Sequence, residues 1–214
     1  MRNPRIHYKP SLALESKDQE LLALLSKHKK GRIRINVASN PNTSFSILWK
    51  MLDDKNAQVL IALAERCSTF NMIEALMDKK IHDVIVALSK NKNLPFYFQL
   101  KLLRNDEWIS YFMHIGRHTT HKDIIDYILN YDFSHYRDHA RLSYIRLIHN
   151  KNLNQIQFEK LYSIFIKLPH YYRGLAHEFL IHPKSTKKIL LSLMKIYPSY
   201  KRFVYEKLGL DNFV

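Results

Sequence analysis

The stretch VASNPNTSFSILWKML (37–52) runs from a short apolar segment through a polar turn into a second apolar segment. Close variants return as VALSKNKNLPFYFQLKLL (86–103) and LIHNKNLNQIQFEKLY (147–162). Self-similarity on this scale is the signature of stacked supersecondary units, so it is followed along the chain first. Six polar segments stand between apolar ones: SNPNTS (39–44), RCSTF (66–70), NKNLP (91–95), HTTH (118–121), NKNLN (150–154) and HPKST (182–186). With Thr43, Thr69, Leu94, Thr120, Leu153 and Ser185 as anchors, the steps are 26, 25, 26, 33 and 32 residues.

Each anchor segment has the chemistry of a helix start. Thr43, Thr69, Thr120 and Ser185 are hydroxyl residues able to accept from an orphan backbone N–H. Pro95 follows Leu94 where a first helical residue lacks an N–H partner in any case. Asn40, Pro41, Asn91, Asn93, Asn150, Asn152 and Pro183 suit turns that end the preceding helix. Positions +4, +5, +8 and +9 from the anchors share one helix face, and 20 of those 24 residues are apolar; composition alone gives about 11. At −8 and −6, 10 of 12 are apolar. The pattern predicts an all-α fold, a right-handed α-solenoid of about six two-helix repeats. Segments 11–32 and 198–214 serve as caps, because one hairpin cannot bury its own apolar flank. Residues 1–10 read as a basic arm and 11–214 as one domain.

These segments resemble the leucine-rich repeat variant family, a HEAT-like array of alternating short and long helices, over roughly residues 33–195. The resemblance implies that fold and a habit of binding, not a reaction. Some members carry a cysteine-ligated iron–sulfur cluster; Cys67 is the single cysteine here, so that feature is not carried over, and no cofactor is expected. The chain is also similar in size and charge to the HEAT-like alkylpurine DNA glycosylases. That family implies tryptophans beside a carboxylate, but only Trp49 and Trp108 exist, and no carboxylate aligns with them.

The 214 residues carry 34 Lys/Arg against 19 Asp/Glu, a net charge of +15. The excess lies at the ends: 8 basic against 3 acidic residues in 1–32, and 13 against 4 in 140–214. Such a balance favours anionic partners. Lys184, Lys187, Lys188, Lys195, Lys201 and Arg202 form a run without an acidic residue, and Lys187 and Lys188 fall in a first helical turn, where the helix dipole opposes cations. Arg2, Arg5, Lys9, Lys27, Lys29, Lys30, Arg32 and Arg34 make a second cluster. Tyr171, Tyr172, Tyr197, Tyr200, Phe203 and Tyr205 lie near the C-terminal run, where rings either stack on bases or pack.

Catalytic signals are thin. There is no Gly-rich phosphate loop, no GxSxG and no CxxC. His114, His118 and His121, and His135 with His139, have ligand-like spacing, but the first group straddles a turn and no HExxH exists, so no metal site is expected. Asp53/Asp54 and Asp106/Glu107 read as solvated loop charge. No apolar run approaches the roughly 20 residues of a membrane helix, and the expected location is cytoplasmic. The expected function is non-enzymatic binding of nucleic acid through backbone phosphates; the alternatives are an adaptor, inhibitor or immunity-type protein on an acidic partner and, as a minor reading, a glycosylase.

Overall fold

The computed structural model describes residues 10–105, 110–133, 137–168 and 173–210, and they form helices without a strand. The chain divides into two compact units, Met1–Gln99 and Leu100–Val214.

The first unit begins with a hairpin of α1 (Pro10–Glu15) and α2 (Gln19–Leu25). Then come α3 (Gly31–Ser39), α4 (Phe45–Lys50, continued by a 3-10 turn Met51–Asp53), α5 (Ala57–Ala64), α6 (Phe70–Asp78) and α7 (His82–Lys90). The start of α8 (Phe96–Leu103) closes the unit. Helices two apart pack together: α1 on α3, α3 on α5, α5 on α7. The reason lies in the apolar stripes. Ile33 and Val37 of α3, Val59, Leu60 and Leu63 of α5, and Val84 and Leu88 of α7 recur at helical spacing and are buried. Each such side chain contributes about 1.5–3 kcal/mol on burial, which only a stacked neighbour supplies.

The second unit holds α9 (Ser110–His118), α10 (Lys122–Asn130), α11 (Arg137–Ile148), α12 (Gln155–Phe165), α13 (Arg173–Ile181), α14 (Lys187–Ile196), a 3-10 turn Pro198–Tyr200 and α15 (Lys201–Lys207). Here α9 packs on α11, α11 on α13, α10 on α12, and α14 on α15. The core is more aromatic. Phe112 meets Tyr131 and Phe133, and Phe179 meets Phe158, Tyr162 and Phe165, with ring centroids 4.4 to 5.4 Å apart. The longer steps of this half include a longer α11, 12 residues against 8 or 9 in α3, α5, α7 and α9. Residues 134–136 and 169–172, where the remaining insertion falls, lie outside the described residues.

Of the 24 face positions chosen from sequence, those in α10 and the α4 segment are buried throughout. Glu74 and Asp78 miss the core because α6 is capped at Thr69 itself, whereas α4 and α14 are capped one residue after their anchors, at Ser44 and Thr186. Met72, Ile73 and Leu76 take the inward places instead. Gln99 and Gln157 are buried despite their polarity. Gln99 Nε2 donates to the Leu94 carbonyl at 2.7 Å, and Gln157 forms a capping box with Asn154.

The anchor hydroxyls behave differently from the sequence expectation. Thr43 Oγ1 donates to the Val37 carbonyl at 2.7 Å, and Ser185 Oγ donates to that of Phe179. They tie down the end of the helix behind them, and Thr69 makes no side-chain cap bond. Thr186 is the hydroxyl that caps α14, accepting from the Ile189 N–H at 3.3 Å. Pro95 is likewise one place earlier than expected: its carbonyl accepts from Phe98 and Gln99, and α8 starts at Phe96.

Candidate polyanion-binding helices and the ladder behind them

The last carbonyls of a helix have no partner within it. In this chain a side chain from the next stacked helix supplies one. Asn40 is fully buried at the end of α3 and donates Nδ2 to the carbonyls of Ala13 and Ser16, at 3.1 and 2.8 Å, where α1 ends. Its Oδ1 accepts from the Asn42 N–H at 2.8 Å and so fixes its own turn. Asn91 repeats this on α5, donating to Ala64 and Cys67 at 2.9 and 2.6 Å and accepting from Asn93. In the second unit Asn150 donates to Gly116 and Thr119 at 2.7 and 2.9 Å and accepts from Asn152. All three amides are satisfied on both sides.

The rungs between them use other donors. Arg66, in the turn after α5, reaches the Ala38 carbonyl at 2.9 Å and that of Asn40. His182, in the turn after α13, accepts the Lys184 N–H on Nδ1 at 3.1 Å, and its ring also hydrogen-bonds the Ile148 backbone. Lys207 of α15 closes the series with Nζ on the carbonyls of Leu180 and His182, at 2.6 and 3.1 Å. Burial holds the Lys207 ammonium below its ordinary value. Sequence reasoning missed Arg66, His182 and Lys207 altogether and took the asparagines for turn formers. The available signal was the recurring Asn-x-Asn of 40–42, 91–93 and 150–152.

On this frame α14 presents Lys187, Lys188 and Lys195, all exposed, with Ile189, Leu190 and Leu193 buried on the opposite side. Lys184 is half-buried in the turn before it. Lys201 and Arg202 are exposed on α15; Arg202 Nε pairs with Glu206 at 2.9 Å, and Lys201 Nζ stands 5.6 Å from the Tyr205 ring centroid. Between Glu178 and Glu206 the sequence has no carboxylate. Tyr197 and Tyr200 are half-buried, their rings 6.0 Å apart, and Phe203 is exposed; Tyr171 and Tyr172 lie outside the described residues.

The N-terminal cluster is less uniform. Lys27, Lys29, Lys30 and Arg32 are exposed around the turn into α3, while Arg2, Arg5 and Lys9 lie outside the described residues. Arg34 is spent internally. Its Nε and Nη2 meet the two Asp54 oxygens at 2.6 and 2.9 Å, and Nη1 donates to the His28 carbonyl at 2.8 Å. The Arg34 hydrogen bond holds the Asp54 carboxyl below the usual carboxylate range. Asp54 is therefore a structural partner rather than the solvated loop charge expected, whereas Asp53 is 94% exposed. Asp106, Glu107 and Trp108 lie outside the described residues.

A surface that sequence reasoning did not single out runs along the first unit. The first helical residues of α4, α6 and α8 are Phe45, Phe70 and Phe96, all exposed, joined by exposed Trp49 and Tyr97. Phe45 stacks beside Trp49 at 5.7 Å and Phe70 beside Tyr97 at 5.6 Å.

Reactive chemistry finds little footing. Burial pushes the Cys67 thiol up to about 12, which removes the thiolate. Among the described residues no group of three His, Cys, Asp or Glu has metal-holding geometry. His118 ends α9 and His121 is the N-cap of α10, so the histidine run does break across a turn. His135 and the His139 side chain lie outside the described residues. Among the described residues no helix is long and apolar enough to cross a membrane. No protein-family model matches the chain, and no curated protein or solved structure matches it either.

Proposed function

We propose that one two-helix repeat, used about six times in a right-handed HEAT-like array with terminal caps, presents a basic surface that binds nucleic acid through its backbone phosphates. The repeat reading is supported by packing between helices two apart in each unit and by the recurring rungs of Asn40, Arg66, Asn91, Asn150 and His182. The observation that carries the function is the carboxylate-free run of α14 and α15, where Lys187, Lys188, Lys195, Lys201 and Arg202 are all exposed. Two of those lysines open α14, against the field of its own N-terminus. Cations held there by a fold that gains nothing from them suit a ligand bringing its own negative charge. Phosphate contacts of this kind release counterions, so affinity falls with salt at a slope near −0.9 for each phosphate neutralised on duplex DNA.

The test is salt-titrated binding of the purified chain to duplex and single-stranded DNA and RNA. Steep salt dependence with little preference among sequences supports the reading; absence of binding at low salt removes it. A second reading, an adaptor gripping a protein partner, is favoured by the aromatic edge of Phe45, Trp49, Phe70, Phe96 and Tyr97. Its mark is a stoichiometric complex that survives moderate salt and is lost in Phe70→Ser/Phe96→Ser.

A further inference from the structure

Among the described rungs of the ladder, His182 is the one made by a group that titrates near neutrality. Asn40, Asn91 and Asn150 accept on an oxygen and donate from an NH2, and neither changes with pH. His182 does comparable work with an imidazole: Nδ1 takes the Lys184 N–H at 3.1 Å, and the ring lies against the Ile148 backbone at the end of α11. That arrangement exists only for the neutral ring. A proton on Nδ1 would set one N–H against another and free the turn that carries the chain into α14.

We infer that His182 is an acid-sensitive clasp: its neutral ring fastens the α13–α14 turn to the end of α11, and its protonation loosens α14 and the α15 lysine that closes on the same turn. The groups around the ring agree. Lys184 lies in its own turn, Lys207 arrives from α15 with Nζ on the His182 carbonyl, and His149 follows α11. The face of Phe158 from α12 covers the ring at 4.4 Å between centroids. Glu178 of α13 is engaged by His149 at 3.1 Å. Burial first, then Lys184, His149 and Lys207, hold the ring below the ordinary histidine value, against the opposing pull of the Ile148 backbone. A base whose folded value is depressed contributes stability that is complete above the free value, about 6.5, and is lost as pH falls below it. The clasp is independent of what the basic face binds.

The chain supplies its own control, because asparagine makes the corresponding rung at Asn150. Amide hydrogen exchange of the full chain, corrected for intrinsic rates, is compared at about pH 7.5 and about pH 5.5 for the natural chain and His182→Asn. The natural chain should lose protection by about threefold or more in residues 183–209 on acidification, with α3 to α7 unaffected, and H182N should lose none. His149 and Glu178 are common to both chains and cancel. An equal loss in H182N, a loss spread over the whole chain, or no loss in the natural chain overturns the proposal. Should H182N not fold, the ring titration of His182 in the natural chain decides: a midpoint at or above that of a free histidine refutes the clasp.

Discussion

The two units are built on the same rung and present different edges. Asn91 in the first and Asn150 in the second make the same three hydrogen bonds, two to the ends of α5 and α9 and one within their own turn. Yet from α4 onward the opening residues of the even-numbered helices run Phe45, Phe70 and Phe96 in the first unit, and Lys122, Gln155 and Lys187 in the second. That position is exposed in all six, so stacking places little demand on it. On the proposed repeat reading, the residues that make the repeat are separate from those that differ between its copies. Function is to be sought among the latter.

The shared frame is the part whose removal costs most. Asn91→Leu and Asn150→Leu each remove two donors to helix-end carbonyls and the acceptor of a turn N–H. Each is expected to destabilise the chain by about 3 kcal/mol, somewhat less at 150 because Asn152 Nδ2 also reaches the Thr119 carbonyl. Urea unfolding measures this, with exposed Asn42→Ala as a control near zero. Similar losses at 91 and 150 confirm that one device serves both units. A loss at one position alone breaks the comparison.

The Arg34–Asp54 pair belongs to the first unit and comes next in size. Asp54→Asn removes one partner of a bidentate contact whose carboxylate side chain is 8% exposed, an expected cost of about 2 kcal/mol near neutrality. Because Arg34 depresses the Asp54 pKa, this stability is complete above the free value of about 4 and is lost as pH falls through the folded one. D54N should lack that part of the acid slope. An unchanged slope in acid titrations of stability would show that Asp54 is not the group responsible.

The surfaces are compared by paired charge reversals. Lys187→Glu/Lys188→Glu/Lys195→Glu in the second unit should weaken polyanion binding by about tenfold or more, and should make its salt slope shallower by roughly two to three. Lys29→Glu/Lys30→Glu/Arg32→Glu in the first should do less, because Arg34 beside them is committed to Asp54. Fluorescence anisotropy over a salt series distinguishes the two. A larger effect from the N-terminal set would move the proposed site to the other unit.

How far all this was legible in sequence depends on which residues carry it. Helix period and turn chemistry are local, so the all-helical class, the hairpin order and the exposed lysines of α14 follow from spacing alone. Most anchors fall one residue before the cap, and at two of them the reason is that hydroxyls occur in pairs: Thr43 and Ser44, Ser185 and Thr186. One member ties the helix behind and the other starts the helix ahead, and sequence does not say which. The rungs join residues 24 to 34 apart, and asparagine, arginine, histidine and lysine share the role, so residue type alone does not reveal it. The same holds for Arg34, which is indistinguishable from its neighbours Lys29, Lys30 and Arg32 until Asp54 is brought to it.

The smallest expected effect sharpens the contrast most, because it runs opposite to the binding effect. Thr186 caps α14 and satisfies the Ile189 N–H, which leaves the first-turn amides facing Lys187 and Lys188. A cation at such a place is destabilising and a carboxylate stabilising, by about 0.3–1 kcal/mol each at low salt. Lys187→Glu/Lys188→Glu should therefore raise the unfolding midpoint slightly while abolishing much of the polyanion affinity, and the gain should shrink as salt is added. The matching change in the first unit, Phe70→Ser, removes the ring contacts to Tyr97 and Phe98 and offers no such gain. If the lysine variant unfolds more easily instead, the lysine stems are packing against the fold, and the two helix starts differ in residue type but not in purpose.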